Sequence, residues 1–518
     1  MVLRRLLCVV ALLMPAPLAA QLPPLGMPGG TMRIEVHAGF GGATDRYVDG
    51  TREDLGADLT SPAFGSDRLA ELAEPDARIA SLTGNSAFRL SLGRSDGYAS
   101  NSRAFGALGL SLGVSNAITL FGRVPFVNVV NRRQLRFAAG TEEAGVNTAS
   151  PVLGDAAGQS AAAGFFTSFD AALTTLEGNI AGGVYAGDPA QEQLAQETLA
   201  SGIQLRDSLR ALVLDEATAA SFLPLSSTAA GAALAQRVTG VQQTLSTGLG
   251  VGGFDAALPL PSTAATFSDL ERLALATNGA YAYQSYTAKK IMGIGDAEVG
   301  AVLTLVDRWD RGGLGGFRLA AEALVRLPTG GKISPDDAWP GATGDGQMDV
   351  EVNAAADVGT GSVGMRLHGG YQVQLSSTVS RRVAAPGNPF VPAANLADVE
   401  LDPGDVLSVG ATPFVRLARP LAAHFTVMYR KRSEDAVSYA GAAVPGVDVG
   451  LLAQQTAWSM VTWGVGLSYA EIGGRAGSRA RVPIDASWWY EAVATASDGR
   501  VAAGSVMRLQ LRYYVQLW

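Results

Sequence analysis

The side chains that could do chemistry are few and scattered. The three histidines, His37, His368 and His424, sit singly in "RIEVHAGF", "GMRLHGGYQ" and "LAAHFTVMY". None has a second histidine at metal-ligand spacing, so a zinc site is not expected. The one cysteine, Cys8, falls inside an N-terminal apolar run. That leaves no disulfide, thiolate site or cysteine nucleophile to expect in a processed chain. "LGVGG" and "TGGK" are rich in glycine, but neither is a phosphate loop, and the second lacks the Ser or Thr after its lysine. "DGQMD", residues 345–349, offers oxygen ligands without the later glutamate that completes a calcium loop, which favours a solvated loop. No cofactor is expected.

What does recur is charge at every second position. Arg318, Glu322 and Arg326 alternate with apolar residues in 317–327, and Asp349, Glu351 and Asp357 do so in 347–358. Arg366 and His368 follow in 363–375, then Arg416, Arg430, Arg508 and Arg512 in later segments. Successive side chains of a strand point to opposite faces, so each segment reads as a strand with one greasy and one polar face. The polar faces are the candidate site. On three consecutive strands they form basic, acidic and basic columns, which favours pairing by roughly 0.2–1 kcal/mol per pair. Arg416, Arg430, Arg508 and Arg512 face chiefly Asp485 and Glu491, so that wall is expected to be net positive and to favour anions.

The elements that must carry these residues follow a rhythm. Alternating segments at 104–113 and 117–130, 296–306 and 317–327, 347–358 and 363–375, 406–417 and 422–430, and 456–469 and 482–495 are each joined by a short turn. Between these pairs lie longer connections such as 328–346, 376–405 and 432–454. The closing segment 505–518, ending "MRLQLRYYVQLW", alternates throughout, with Trp518 in the phase of Gln516 and Tyr514; a bulge at Tyr513–Tyr514 would return it to the greasy phase. Adding "TMRIEVHAGF" brings the count to about twelve strands, with 85–93 read as an extension of the strand containing Ala104. The alternative places the first strand at 87–94 and leaves 32–40 outside.

Strands of nine to twelve residues with short turns on one side and long loops on the other match a transmembrane β-barrel. Composition agrees. The chain of 518 residues has net charge −8, 63 glycines and a mean hydropathy of +0.17. Its mild acidity argues against a nucleic-acid partner. "MVLRRLLCVVALLMPAPLAA" has the charge, apolar core and small-residue layout of a signal peptide over 1–20. Residues 21–140 and 289–518 are expected to form the barrel. The stretch 141–288 is read as a helical extracellular insertion, either a cap or a plug. Its strongest helices are "PAQEQLAQETLASGIQLRDSLRALVLDE" and "FSDLERLALA", the latter capped at Ser268. Trp309, Tyr371, Tyr429, Trp463, Tyr469, Trp488 and Tyr490 fit interface girdles.

Three stretches, "GVSNAITLFGRVPFV", "GIGDAEVGAVLTLVDRW" and "AEALVRLPTGG", resemble a bacterial outer-membrane family assigned to the MetA pathway of phenol degradation and to transport. The matching positions are Gly113 with Pro125, Gly295 with Asp296, and 327–330. The likeness covers roughly 104–130 and 290–518 and omits 141–288. It implies a monomeric barrel that passes small, aromatic or hydrophobic molecules.

The fold expected is therefore all-β: an antiparallel up-and-down barrel of about twelve strands in the bacterial outer membrane, reached by export. The expected function is a porin-like channel for passive uptake, not an enzyme. Its partners would be outer-membrane lipid, the barrel assembly machinery and a small-molecule solute. The alternative is a surface binding or structural protein that the barrel anchors.

Overall fold

The computed structural model describes residues 26–310, 315–339, 341–360, 363–417, 421–471 and 483–518. The expected signal peptide, 1–20, lies outside them, as do 311–314, 361–362, 418–420 and 472–482, where short turns were expected. Twelve strands form the barrel: β1 Thr31–Ala43, β2 Ser95–Gly113, β3 Ile118–Phe137, β4 Ala297–Asp310, β5 Gly315–Leu327 and β6 Asp349–Thr360. The circuit continues through β7 Val363–Gln374, β8 Val406–Arg416, β9 Leu421–Arg432, β10 Trp458–Glu471, β11 Ile484–Ser497 and β12 Ser505–Gln516. Each strand pairs antiparallel with its neighbours in chain order, and β1 pairs with β12, so the sheet closes on itself with up-and-down topology. Closure gives each of these twelve strands a partner on both sides, which is what a membrane interior requires.

Period two then divides the side chains. On β1, Ile34 and Val36 are exposed outward, whereas Arg33 and Glu35 are buried inward. The same holds on β12, with Leu509 and Leu511 outside and Arg508 and Arg512 inside. Leu108, Leu110, Val352, Leu367, Val409 and Phe425 continue the apolar belt around the barrel. A soluble protein rarely exposes more than a few hundred Å² of such surface in one patch. Tyr371 and Tyr429 face outward toward the long-connection end, while Tyr469 and Tyr513 do so toward the short-turn end. Trp488 shares the outward phase of Tyr490, and its neighbour Trp489 turns inward.

Three expectations need correction. Residues 85–93 are not a strand extension. Leu90 and Leu92 are buried, and the Leu90 amide donates to Asp76 Oδ1 at 2.6 Å, so their alternation serves local packing beside helix α1 (Ala73–Thr83). The bulge at Tyr513–Tyr514 is absent: the pairing of β12 with β1 runs through both residues without a shift, and its pairing with β11 reaches Tyr513. Trp518 simply follows the strand's end and is 70% exposed. The third is the cap of 267–275, which is Thr266, whose hydroxyl accepts from the Asp269 amide in a reciprocal capping box.

Asp58–Gly97 and Leu135–Gln284 form a second compact unit. It contains α1 and four further helices: α2 Ala156–Ala181, α3 Pro189–Val213, α4 Ala229–Gln243 and α5 Phe267–Leu275. Asp155 caps α2 and Asp188 caps α3, each accepting backbone amides as the orphan donors of a first turn demand. Phe165, Phe166, Phe169 and Phe254 meet in a ring cluster that ties α2 to the chain after α4. Among the described residues no helix is long and apolar enough to cross a membrane.

Candidate functional site: the charged barrel interior

Inward positions of adjacent strands lie side by side, so the register determines which charges meet. Arg326 of β5 stands opposite Asp349 of β6 and Glu298 of β4. Its guanidinium reaches Asp349 at 2.8 Å, Glu298 at 3.3 Å and Glu351 at 3.4 Å. Arg123 of β3 adds a second pair to Glu298 at 2.7 Å. Toward the short turns, Arg366 grips Asp357 through two bonds of 2.5 and 2.7 Å, and Arg318 reaches Asp307 at 3.3 Å. Glu322 accepts from Asn353 at 3.2 Å. Each of these charged groups would be costly to bury alone, and the ion pairs neutralise them in place, except at Glu322, which meets the neutral amide of Asn353.

A second hub forms where the barrel closes. Glu35 of β1 accepts from Arg33 at 2.7 Å, Ser111 of β2 at 2.8 Å and Gln510 of β12 at 3.2 Å. Arg512 lies 3.6 Å from both Glu35 and Asp485, and Tyr514 donates to Asp485. Arg430 meets Glu491 at 3.3 Å. Arg416 occupies an inward position on β8 and is half-buried. The four arginines were expected to face chiefly Asp485 and Glu491, and Arg430 and Arg512 do meet these two acids. Closure places β1 beside β12 and supplies Glu35, while Glu491 and Asp485 lie close enough to engage Arg430 and Arg512.

The histidines play separate parts. His37 contacts Glu35 at 3.1 Å and Gln510 at 3.0 Å. His368 and His424 are buried, and each ring fills the space above a glycine on a neighbouring strand, Gly410 and Gly466 respectively. Among the described residues no cluster of His, Cys, Asp or Glu has the grouping of a metal site.

Arg508 differs from the other inward arginines. It is 7% exposed, its Nε has no hydrogen-bond partner, and no carboxylate lies within 4.0 Å of it among the described residues. Its guanidinium instead sits 5.8 Å from the Phe105 ring and 5.7 Å from the Trp489 ring. Across β1 lies Arg103, which likewise has no carboxylate within 4.0 Å among the described residues and no partner for Nε. The β1 positions between them are glycines: Gly39 pairs with Arg508, and Gly41 pairs with Arg103. The Phe105 ring occupies the place of a side chain at Gly39, where a Cβ would fall 2.3 Å from Cζ. Beside these groups is a cavity of about 140 Å³, lined also by His37, Arg123 and Glu298.

The rim of this cavity is tied by the three stretches of the sequence resemblance. The strand Ala288–Ile294 pairs with the upper part of β3 and runs on into β4, which pairs with the lower part; the shift falls at Gly295–Asp296, opposite Pro125. The Gly295 amide donates to the Pro125 carbonyl at 2.8 Å, and Thr329 Oγ1 donates to the Gly295 carbonyl at 2.8 Å. Asp296 accepts from the amides of Gly330 at 2.8 Å and Asp345 at 3.2 Å. Proline, glycine, aspartate and the Thr-Gly pair thus form one hydrogen-bonded knot at a kink in the wall.

A closed antiparallel barrel with an apolar belt outside and an ion-paired interior defines the class: a transmembrane β-barrel of the outer-membrane type, with lipid around the belt. No family model matches the chain, and no curated protein matches it. Solved structures similar to it include an outer-membrane channel from Pseudomonas putida F1, at 9% identity and a TM-score of 0.42, covering 96% of this chain and 100% of that one. The toluene transporter TodX of Pseudomonas putida gives 10% identity and a TM-score of 0.25 over 95% of this chain and 90% of that one. The translocator domain of the autotransporter NalP from Neisseria meningitidis gives 6% and 0.31 over 93% and 88%. At these scores the likenesses carry no argument, and the class rests on topology and on the two faces of the strands.

Proposed function

We propose that this protein is an outer-membrane channel for the passive uptake of small solutes, with a preference for anions. The observation that carries this is the interior cavity beside Arg103 and Arg508, two cations with no carboxylate within 4.0 Å among the described residues, in a barrel where Arg326 and Arg366 are held in close ion pairs. Fixed positive charge in a narrow path lowers the energy of an anion there. The reading assigns no catalysis. The resemblance to the MetA-pathway family is consistent with it, and export and delivery by the barrel assembly machinery are part of it.

Purified protein in a planar bilayer tests it. Under a salt gradient the reversal potential should indicate anion preference, and Arg103→Gln with Arg508→Gln should abolish most of that preference. Arg512→Gln should instead lower barrel stability, since it removes a cation shared by Glu35 and Asp485. Cation selectivity that the double replacement leaves untouched would remove these arginines from any part in permeation.

Orientation is part of the proposal, with the long connections outside. Protease added to intact cells is expected to cut within 141–288 and to spare the stretches 307–316 and 359–362, read from the sequence as turns. Cleavage at those turns while the outer membrane is unbroken would reverse the topology.

A further inference from the structure

The cavity beside Arg508 has the attributes of a ligand site rather than of a passage alone. Its charged component is a pair of guanidiniums, and a guanidinium fork matches a carboxylate in a planar, two-point fashion. Its apolar component is two aromatic rings, Phe105 and Trp489, placed 5.8 and 5.7 Å from the Arg508 guanidinium. Trp489 is itself 6% exposed, and it faces inward only because the Trp488–Trp489 pair places one ring on each face of β11.

The acids on the cavity wall are already engaged. Asp296 accepts two backbone amides, and Glu298 is shared between Arg123 and Arg326. Asp296 acts on Arg103, and Glu491 of β11 on Arg508, only from beyond 4.0 Å, so neither guanidinium has a carboxylate in contact with it among the described residues. Size limits the occupant further. A volume of about 140 Å³ compares with the ~150 Å³ apolar cavity that takes up one benzene ring. A bare inorganic anion would leave the rings without contact, and a neutral arene would leave a buried guanidinium without a partner.

We infer that this cavity binds a small aromatic monocarboxylate, its carboxylate between Arg103 and Arg508 and its ring against Phe105 and Trp489. The inference rests on the channel reading for its meaning, since it names the solute class that the interior would select. Its test does not depend on conduction.

Calorimetric titration of the purified full chain with sodium benzoate should give saturable binding of one ligand per chain. Toluene, which lacks the charge, and inorganic phosphate, which lacks the ring, should bind at least tenfold more weakly. Arg508→Gln and Arg103→Gln should each weaken benzoate binding about tenfold or more, the loss expected for one charge-assisted contact. Arg508→Lys should fall between them and the native chain. Trp489→Leu provides a second route should an arginine variant fail to fold, as judged by the difference in gel mobility between folded and unfolded barrel. It should weaken benzoate binding and leave phosphate binding unchanged. Absent benzoate binding by the folded native chain, equal affinity for phosphate, or variants indistinguishable from native would each overturn the inference. A chain that conducts ions but fails to bind benzoate refutes the ligand site and leaves the channel. One that binds benzoate but does not conduct refutes the channel and leaves the site.

Discussion

Replacing Arg326 by Met is expected to destabilise the barrel by about 3–5 kcal/mol, the cost of leaving buried charges without their counterion. Arg326 is 6% exposed and holds Glu298, Asp349 and Glu351 at 2.8–3.4 Å. Removing it leaves Glu298 with Arg123 alone, and leaves Asp349 and Glu351 with the neutral amides of Gln372 and Asn353. Methionine fills similar volume, so the loss should come from charge rather than from a void. Arg326→Lys should recover only part of the stability, because an ammonium is a point charge and cannot present a fork to three carboxylates. Denaturant unfolding in lipid vesicles, read by gel mobility, measures both. A Met variant within about 1 kcal/mol of native would mean that water already screens the hub.

Asp296→Ala should act locally instead. It frees the Gly330 and Asp345 amides that fasten the connection between β5 and β6. Hydrogen bonds to a charged acceptor contribute about 1.5–3 kcal/mol each, so losing the pair should ease local opening by about 3 kcal/mol or more. That corresponds to roughly 100-fold or more in the open population. Lys332 is exposed in this connection and reports the change: trypsin should cut after it faster by that order in purified protein, with the barrel itself intact. An unchanged cleavage rate would mean that Thr329 and the Gly295 carbonyl hold the knot without the aspartate.

The two faces of most strands were legible because strand geometry forces alternation wherever one face meets lipid. Arg326, Asp349, Glu351 and Arg366 could be assigned to one wall from spacing alone, and their ion pairs lie there. Two things escaped the pattern. Arg103 precedes the segment that alternates visibly; β2 continues upward through "SDGYASNSR", where small and polar residues occupy both faces and leave no periodicity to read. Glu35 did alternate, but its role depends on which strand lies beside it, and only closure brings β1 against β12. The motifs at Pro125, Gly295 and 327–330 were visible as punctuation. Their meeting at a single kink is a matter of register, which spacing along the chain does not encode.

The seam between β1 and β12 has a consequence for how the barrel is made. The Glu35–Gln510 contact bridges 475 positions of sequence, so it forms only after nearly all the hairpins exist. Before that moment each edge already satisfies its own charge: Glu35 through Arg33 and Ser111 on one side, Arg512 through Asp485 on the other. The two edges can therefore meet without a bare ion having to shed its water at the last step. They also carry inward charge while they wait, a feature that discourages pairing with foreign strands. The rate of this docking, rather than the strength of any one hairpin, sets how long a half-made sheet stays open to aggregation.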